Sequence, residues 1–330
     1  MEAYIKDIAY YLPERIVTND ELAAEFPEWS AAKIFHKVGI RERHVAAEDE
    51  TATDMAEKAA LKLFSAGEKR EDIDFILLCT QSPDYKLPPS ACILQDRLGL
   101  SRNIGALDFD LGCSGYVYGL ALAKGLIVGG MAKNVLLLTA ETYNKYIHPS
   151  DKGNRTIFGD GASATLVSTK GRARIGNFVF GTDGKGFSDL VVPNGGARSP
   201  MGTANHIAGK EIDHPDDIFM DGADIFAFTL KAVPELMQRV LATNDSKLEE
   251  IDQFVFHQAN KYMLDFLKNK MNISDDKMFY NLEHIGNTVS STIPIALLDA
   301  WNGLDIIPGN TVAIVGFGVG LSWAGTELFF

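Results

Sequence analysis

Short apolar or two-residue-period runs punctuate the chain and read as strands at residues 3–12, 75–79, 106–111, 135–139, 162–168, 174–180 and 254–256. Pro13 ends the first of them. Between these runs, apolar residues recur at helical spacing, as Met55, Ala59 and Leu63 do within residues 51–65. Thr18-Asn-Asp-Glu opens another helix, with Thr18 or Asn19 as cap and acidic residues in the first turn. Residues 29–37 predict a second short helix and residues 39–44 an extended basic stretch. Pro88-Pro89 breaks the chain before a helix over residues 90–98. Strands alternating with helices predict an α/β fold.

The second half echoes the first. Glu71-Asp-Ile-Asp74-Phe-Ile-Leu-Leu-Cys79 aligns with Glu249-Glu-Ile-Asp252-Gln-Phe-Val-Phe-His257, and Val135-Leu-Leu aligns with Ala313-Ile-Val, both at a separation of 178 residues. The same offset sets residues 108–114 opposite residues 286–292, which read as strand, turn and small-residue helix. A constant offset across three elements predicts an internal duplication, with halves at residues 1–170 and 171–330. A site is then expected where equivalent loops meet beyond the strand ends.

Composition narrows the classes. Of 330 residues, 46% are hydrophobic and 23% charged, as in a soluble globular protein. A net charge of -13 argues against a nucleic-acid binder. No apolar run approaches the ~18 residues of a membrane span, and the first residues carry no export pattern. Cys79, Cys92 and Cys113 form no CxxC pair and no disulfide framework, which fits a reducing cytoplasm. Cys79 and Cys92 read as core residues.

Three polar features fall on corresponding loops. The run over residues 106–111 leads into a tight turn where Gly112 and Gly115 flank Cys113, before a buried helix reaching about Gly130. A cysteine at a helix N-terminus meets free N–H groups and the positive dipole end, which lower a thiol pKa from ~8.5 and favour thiolate. Cys113 reads equally as a small buried hydrophobe. His257 ends the strand over residues 254–256, and Asn287 follows Gly286 on the turn equivalent to that of Cys113. Singly, His257 fits a strand-end histidine bonded to backbone, and Asn287 a turn residue. Together they offer a thiol nucleophile and two groups able to serve a thioester oxygen or accept a proton.

These residues sit in motifs that resemble the β-ketoacyl-acyl-carrier-protein synthase III family of thiolase-like condensing enzymes. The motifs are Asp110-Leu-Gly-Cys113-Ser-Gly-Tyr-Val-Tyr-Gly-Leu, Phe158-Gly-Asp-Gly-Ala, His257-Gln-Ala-Asn, His284-Ile-Gly-Asn287-Thr and Gly316-Phe-Gly-Val-Gly-Leu-Ser-Trp323, in the family's order and spacing. The resemblance implies a thiolase-like fold, two duplicated α/β halves in αβαβα layers. It implies a Cys113, His257 and Asn287 triad, with acyl transfer to Cys113 and then a decarboxylating Claisen condensation with malonyl-ACP. The backbone N–H groups of Cys113 and the Gly318–Val319 turn would form the oxyanion hole, and Phe317 would line the site. No cofactor or metal is implied as a permanent resident; CoA and phosphopantetheine thioesters are substrates. Acyl carrier protein is the implied partner, and a homodimer the implied assembly.

Other motifs carry less. The Gly316-x-Gly-x-Gly run lacks the following βαβ unit of a dinucleotide site. Gly112-Cys-Ser-Gly is not a GxSxG elbow, and Gly159-Asp-Gly161 reads as a structural turn. Asp108 or Asp110, if either faced the site, would repel a malonyl carboxylate.

Departures from the family pattern gather at substrate access. Trp29 matches a tryptophan that stacks on the CoA adenine, but Lys152, with Arg155 nearby, stands where an arginine is usual, and lysine does not stack as guanidinium does. Ala223 replaces an asparagine that holds pantetheine, Val319 a glycine, and Pro88 a bulky residue that reaches the partner's acyl pocket. Lys261, Lys268 and Lys270 form either a basic face for an acidic carrier protein or a solvated helix face. The acyl donor therefore stays open between acyl-CoA and acyl-carrier protein. Two alternatives remain: a non-decarboxylating acyltransferase, and a noncatalytic carrier-binding homologue. Residues 182–217, rich in Gly, Pro, Asn and His, are expected to cover the site as an irregular loop.

Overall fold

The computed structural model describes residues 1–203 and 206–330. The first half supplies β1 (Tyr4–Tyr11), α1 (Ala52–Ser65), β2 (Phe75–Cys79), α2 (Ser90–Arg97), β3 (Gly105–Phe109), α3 (Gly115–Val128), β4 (Asn134–Glu141) and β5 (Gly161–Ser168). The second supplies β6 (Ala173–Ile175), β7 (Val179–Thr182), α4 (Gly222–Asn244), β8 (Gln253–Phe256), α5 (Lys261–Lys270), α6 (Thr292–Asn302), β9 (Thr311–Gly318) and β10 (Ser322–Phe329). The strands form one path, β8-β9-β10-β6-β1-β5-β4-β2-β3, with β7 paired to β10. β2 runs parallel to β3 and β4, and β8 parallel to β9; the remaining pairs are antiparallel.

Helices divide this sheet into layers. α1 and α2 cover the outer face of the first half, α4 and α5 that of the second. Between the sheet halves lie α3, which meets β2 and β4 on one side and β9 and β10 on the other, and α6, which meets β1 and β8. A helix touched on both sides buries most of its surface, which is why α3 is apolar nearly all round, although Leu122 and Val128 remain exposed. Three apolar cores fill the gaps: Leu63, Leu94 and Leu136 outside, Leu120, Ile127 and Leu297 in the middle, and Leu236, Phe256 and Leu264 on the far side. Every residue of β5 is buried, as a strand covered on both faces requires.

Local rules account for the helix starts. Thr51 and Asp54 form a reciprocal capping box at α1, and Thr18 caps the helix Asn19–Glu25. Asp108 accepts from the Ser90 and Ala91 N–H groups at the start of α2, which takes its carboxylate away from Cys113. Among the described residues no helix is long and apolar enough to cross a membrane.

Three expectations are corrected. Residues 174–180 form two strands, not one: the Gly176 N–H turns to the Glu327 carbonyl and the Asn177 N–H to Asn244 at the end of α4. Residues 286–292 contain no strand; the second-half counterpart of β3 shrinks to a single bridge between Phe254 and Met278. Cys92 is exposed on α2 rather than in the core. Residues 182–217 hold short paired pieces, among them Leu190–Val191 against Phe219–Met220; Ala204 and Asn205 of this loop lie outside the described residues.

Candidate active site

Cys113 occupies the turn between β3 and α3. The end of β9 crosses this turn so closely that only glycine fits: a Cβ on Gly316 would lie 2.7 Å from the Cys113 carbonyl oxygen, and one on Gly318 3.0 Å from Cys113 Sγ. The Ser114 and Ser322 hydroxyls, 2.7 Å apart, pin the same crossing. The glycine run that mimics a nucleotide fingerprint therefore serves close backbone approach. The backbone N–H groups of Cys113 and Val319 face the sulfur.

The expected depression of the thiol pKa is not what this environment gives. Burial first, and the Glu141 carboxylate second, push the Cys113 thiol up to about 12 against the help of those two N–H groups. A helix-end contribution of ~0.3–1 kcal/mol is too small to offset such desolvation. Cys113 thus rests as a thiol and needs a proton acceptor to become a nucleophile.

His257 follows β8, and its amide bonds to the Val315 carbonyl of β9 at 2.8 Å. Burial pulls its pKa down to about 3, so the imidazole is neutral at working pH. Its Nδ1 lies 2.7 Å from Thr292 Oγ1, and that hydroxyl in turn donates to the Val289 carbonyl. With this donation Nδ1–H faces Thr292 and Nε2 is a free acceptor. Phe317 meets the imidazole edge to face at 5.5 Å.

Asn287 is set by a bridge to Phe158: its N–H donates to Ile157 and its carbonyl accepts from Gly159. Its Oδ1 accepts from the Val289 N–H at 2.9 Å, which directs Nδ2 the other way. Gly159 permits this contact, since a Cβ there would meet the Ile285 carbonyl at 2.5 Å. Asp160, between the two motif glycines, accepts from Ala46 and Asn144 and joins three loops.

Cys113, His257, Asn287, Phe317 and Gly318 line one cavity of about 120 Å³. Cys113, His257 and Asn287 are each at most 5% exposed. Ile157, Met220 and Gly222 separate this cavity from an outer cleft of about 640 Å³ that reaches Trp29. Ala223 lies exposed in the first turn of α4, beside Gly222. Lys152 pairs with Glu28 and Arg155 with Glu25, both beside the cleft. Lys261 pairs with Asp265 at 2.7 Å, Lys268 with Asp275, and Lys270 bonds to the Leu230 carbonyl. The three lysines thus already have internal partners. Asp110 accepts from Gln81 at 2.7 Å.

Sequence reasoning passed over four residues. Lys37 stands 4.7 Å above the Trp29 ring in the cleft. Thr292 has no sequence signal, because its partner lies 35 residues earlier. Arg43 is fully buried and bonds to the Val17 and Thr156 carbonyls; its place between Glu42 and His44 in an alternating strand marked it as the inward residue. Glu141 is buried at the end of β4 and accepts from the Gln81 N–H and the Ser82 and Ser290 hydroxyls; an acid closing an apolar strand was its signal.

Comparison with known proteins agrees across the chain. Residues 107–184 match the family model of 3-oxoacyl-[acyl-carrier-protein] synthase III, and residues 241–328 match the model of its C-terminal part. A β-ketoacyl-[acyl-carrier-protein] synthase III of Caldanaerobacter subterraneus is 36% identical over 96% of this chain and 95% of its own. One from Clostridium perfringens is 37% identical over 95% of this chain and 94% of its own. A crystal structure of a 3-oxoacyl-(acyl-carrier-protein) synthase III superposes with a TM-score of 0.95 at 50% identity, covering all of both chains. That of a 3-oxoacyl-(acyl-carrier protein) synthase from Burkholderia xenovorans gives 0.90 at 35% identity, over all of this chain and 94% of that one. Likeness at this level and coverage places the chain in the 3-oxoacyl-[acyl-carrier-protein] synthase III family.

Proposed function

We propose that this chain joins an acyl thioester to malonyl-ACP by decarboxylating Claisen condensation through an acyl-Cys113 intermediate, giving 3-oxoacyl-ACP. The observation that carries the assignment of roles is the shared buried cavity of Cys113, His257 and Asn287. His257 Nε2 accepts the thiol proton as sulfur attacks the acyl carbonyl, and returns it to the departing thiolate. The N–H groups of Cys113 and Val319 hold the tetrahedral oxyanion. Because Val319 acts through its backbone, a side chain there does not remove the donor.

In the second step the malonyl carbonyl accepts from Asn287 Nδ2–H and from His257. Donation from Nε2 needs the other tautomer, which Thr292 supports when its hydroxyl turns to donate to Nδ1. Carbon dioxide leaves as the enolate forms; the enolate carbon attacks the acyl carbonyl on Cys113, and the C–S bond to Cys113 breaks, expelling a thiolate that takes a proton from solvent to restore the thiol. The apolar walls around Phe317 favour loss of a charged carboxylate. No resident cofactor enters these steps. Trp29, Lys37, Lys152 and Arg155 receive the thioester at the outer cleft, with Ala223 beside its path. Lys261, Lys268 and Lys270 meet an acidic carrier protein only by exchanging Asp265, Asp275 and the Leu230 carbonyl for its carboxylates.

We further infer a homodimer across the free edge of β3, where Leu107 is 45% exposed, in a cytoplasm that keeps the three cysteines reduced. Light scattering that gave a monomer at micromolar concentration would contradict this assembly. Intact-protein mass spectrometry with a panel of acyl-CoAs and acyl-carrier proteins tests the mechanism. A mass gain on Cys113, absent in Cys113→Ala, followed by discharge and carbon dioxide release on adding malonyl-ACP, is expected. Discharge without carbon dioxide would instead identify a simple acyltransferase, and binding without acylation a noncatalytic homologue.

A further inference from the structure

Three groups at the rim of the outer cleft take no part in the condensation. His148 lies just after the turn Tyr143–Tyr146, and His214 and Asp217 lie in the flap between Lys210–Glu211 and Phe219–Met220. One donor atom from each falls within 4.8 Å of the other two, the one such grouping of metal-binding side chains among the described residues. The imidazoles of His148 and His214 stack at 3.5 Å with their planes 5° apart. Both line the cleft. Neutral imidazole is the form that ligates metal.

We propose that His148, His214 and Asp217 bind one borderline divalent transition ion, Zn²⁺ above all, and that this ion clamps the flap to the rim of the cleft. Two imidazoles and a carboxylate suit such an ion and not Mg²⁺ or Ca²⁺, which take oxygen ligands. Ser150 Oγ lies 2.7 Å from His148 Nδ1. The Ser150 N–H donates to the same Nδ1 at 3.2 Å, so Nδ1 carries a lone pair that can exchange this contact for a metal. Metal–nitrogen bonds of ~2.0–2.1 Å require the donors to draw together and one ring to leave the stack, because stacked rings aim their lone pairs in parallel. His214 is exposed, and its χ2 torsion has a broad well, so it can make that turn.

The flap is already held at its base. Lys210 bonds to Asp189 at 2.8 Å and to Asp221 and Asp224 at 3.2 Å, which fixes it to the first turn of α4. A second tie at His148 joins the flap to the opposite rim, across the opening that leads to Ile157, Met220 and Cys113. Metal binding itself does not depend on the proposed condensation. Its effect on substrate access rests on that reading.

Isothermal titration with ZnCl₂ tests the binding, using chelator-stripped full chain carrying Cys92→Ser and Cys113→Ser so that thiols cannot take the metal. One ion per chain is expected, with no response to MgCl₂. His148→Ala, His214→Ala and Asp217→Asn should each weaken binding at least about tenfold. Thermal unfolding would verify that the variants fold. Absence of binding in the parent, or unchanged affinity in all three variants, would overturn the site. For the clamp, Zn²⁺ should slow acylation of wild-type Cys113 by an acyl-CoA and leave His214→Ala unaffected. Equal slowing in both would mean that zinc acts at Cys113, and would overturn the clamp while leaving the titration to judge the site.

Discussion

The two halves of the sheet share a frame, and the proposed mechanism divides its residues between them. Asp74 and Asp252 show how close the frames are. The Asp74 carboxylate accepts from the Asn134 N–H at 2.9 Å while its own N–H donates to the Asn134 carbonyl. Asp252 does the same with Thr311, at 2.7 Å for the carboxylate contact. Each follows a single-turn helix, Arg70–Asp72 or Leu248–Glu250. Beyond this frame, equivalent positions part company. Cys79 aligns with His257, yet it is a buried thiol donating to the Leu111 carbonyl at 2.8 Å. Cys113 aligns with Ser291, whose hydroxyl bonds to Thr139 and Gly161 inside the core. In the proposed mechanism the first half gives Cys113 and the second His257 and Asn287, while Cys79 and Ser291, at the corresponding positions, pack in the core.

The largest test of that division sets the two cysteines against each other. Cys113→Ala should abolish acylation and lower condensation by at least about 10³-fold. Cys79→Ala should acylate at the wild-type rate and lose only about 1–2 kcal/mol of stability, from the empty volume and the unpaired Leu111 carbonyl. Mass spectrometry and denaturant unfolding read the two effects separately. Loss of acylation in Cys79→Ala, in a folded protein, would break the comparison.

A second contrast uses His257 and Ser291. Removing the imidazole should slow decarboxylation by about 10²–10⁴-fold. Ser291→Ala, at the counterpart of the nucleophile, should lower stability and leave the rate of carbon dioxide release unchanged. Equal rates in the two variants would deny His257 its role.

The frame was legible in the sequence because burial on both faces of a sheet leaves long apolar runs, and because the offset of 178 residues survives in Asp74 and Asp252. The glycines around Cys113 were legible too, although their purpose, close passage of β9, shows only in three dimensions. The electrostatics were not. A helix N-terminus is visible in sequence, but the desolvation that opposes it depends on what covers the turn, and Glu141 reaches Cys113 from another strand. Residues 174–180 misled for a similar reason: their pattern suits one strand, while Asn244, distant in sequence, bends the chain at Asn177. Thr292 acts through a partner far away along the chain, and although strand alternation marks Arg43 as inward, its carbonyl partners Val17 and Thr156 lie beyond the reach of local periodicity.

Arg43 tests how far the halves depend on each other. This first-half residue packs its Cβ 2.9 Å from where a Cβ on Gly286 would stand, directly under the Asn287 turn. Its guanidinium, pulled down to about 10 by burial, holds the Val17 and Thr156 carbonyls. Arg43→Met leaves both carbonyls without their donor and should cost about 2–3 kcal/mol. If the turn shifts with it, decarboxylation should fall by about tenfold with acylation of Cys113 little changed. An equal fall in both steps would show general loosening in place of a specific effect on Asn287.

The smallest expected effect concerns Glu141, whose carboxyl burial pushes up to about 8. In the unfolded chain the same group ionises near ~4.3. Below that pH both states hold the proton, and the carboxyl costs no stability. As pH rises from there to about 8, the unfolded state releases its proton while the folded state keeps it, so stability falls; above about 8 both are ionised and the loss is complete. Glu141→Gln removes this dependence. Denaturant unfolding should therefore show wild type losing stability relative to the variant between about pH 5 and 8. The same carboxylate raises the Cys113 thiol pKa, but only once it is charged. Alkylation of Cys113 should proceed equally in both proteins near pH 6 and faster in the variant above about pH 8. Parallel stability and alkylation curves across the whole range would show that Glu141 does not titrate there. The high thiol pKa would then rest on burial alone, and the strand-end acid of the first half would be as silent as Ser291 in the second.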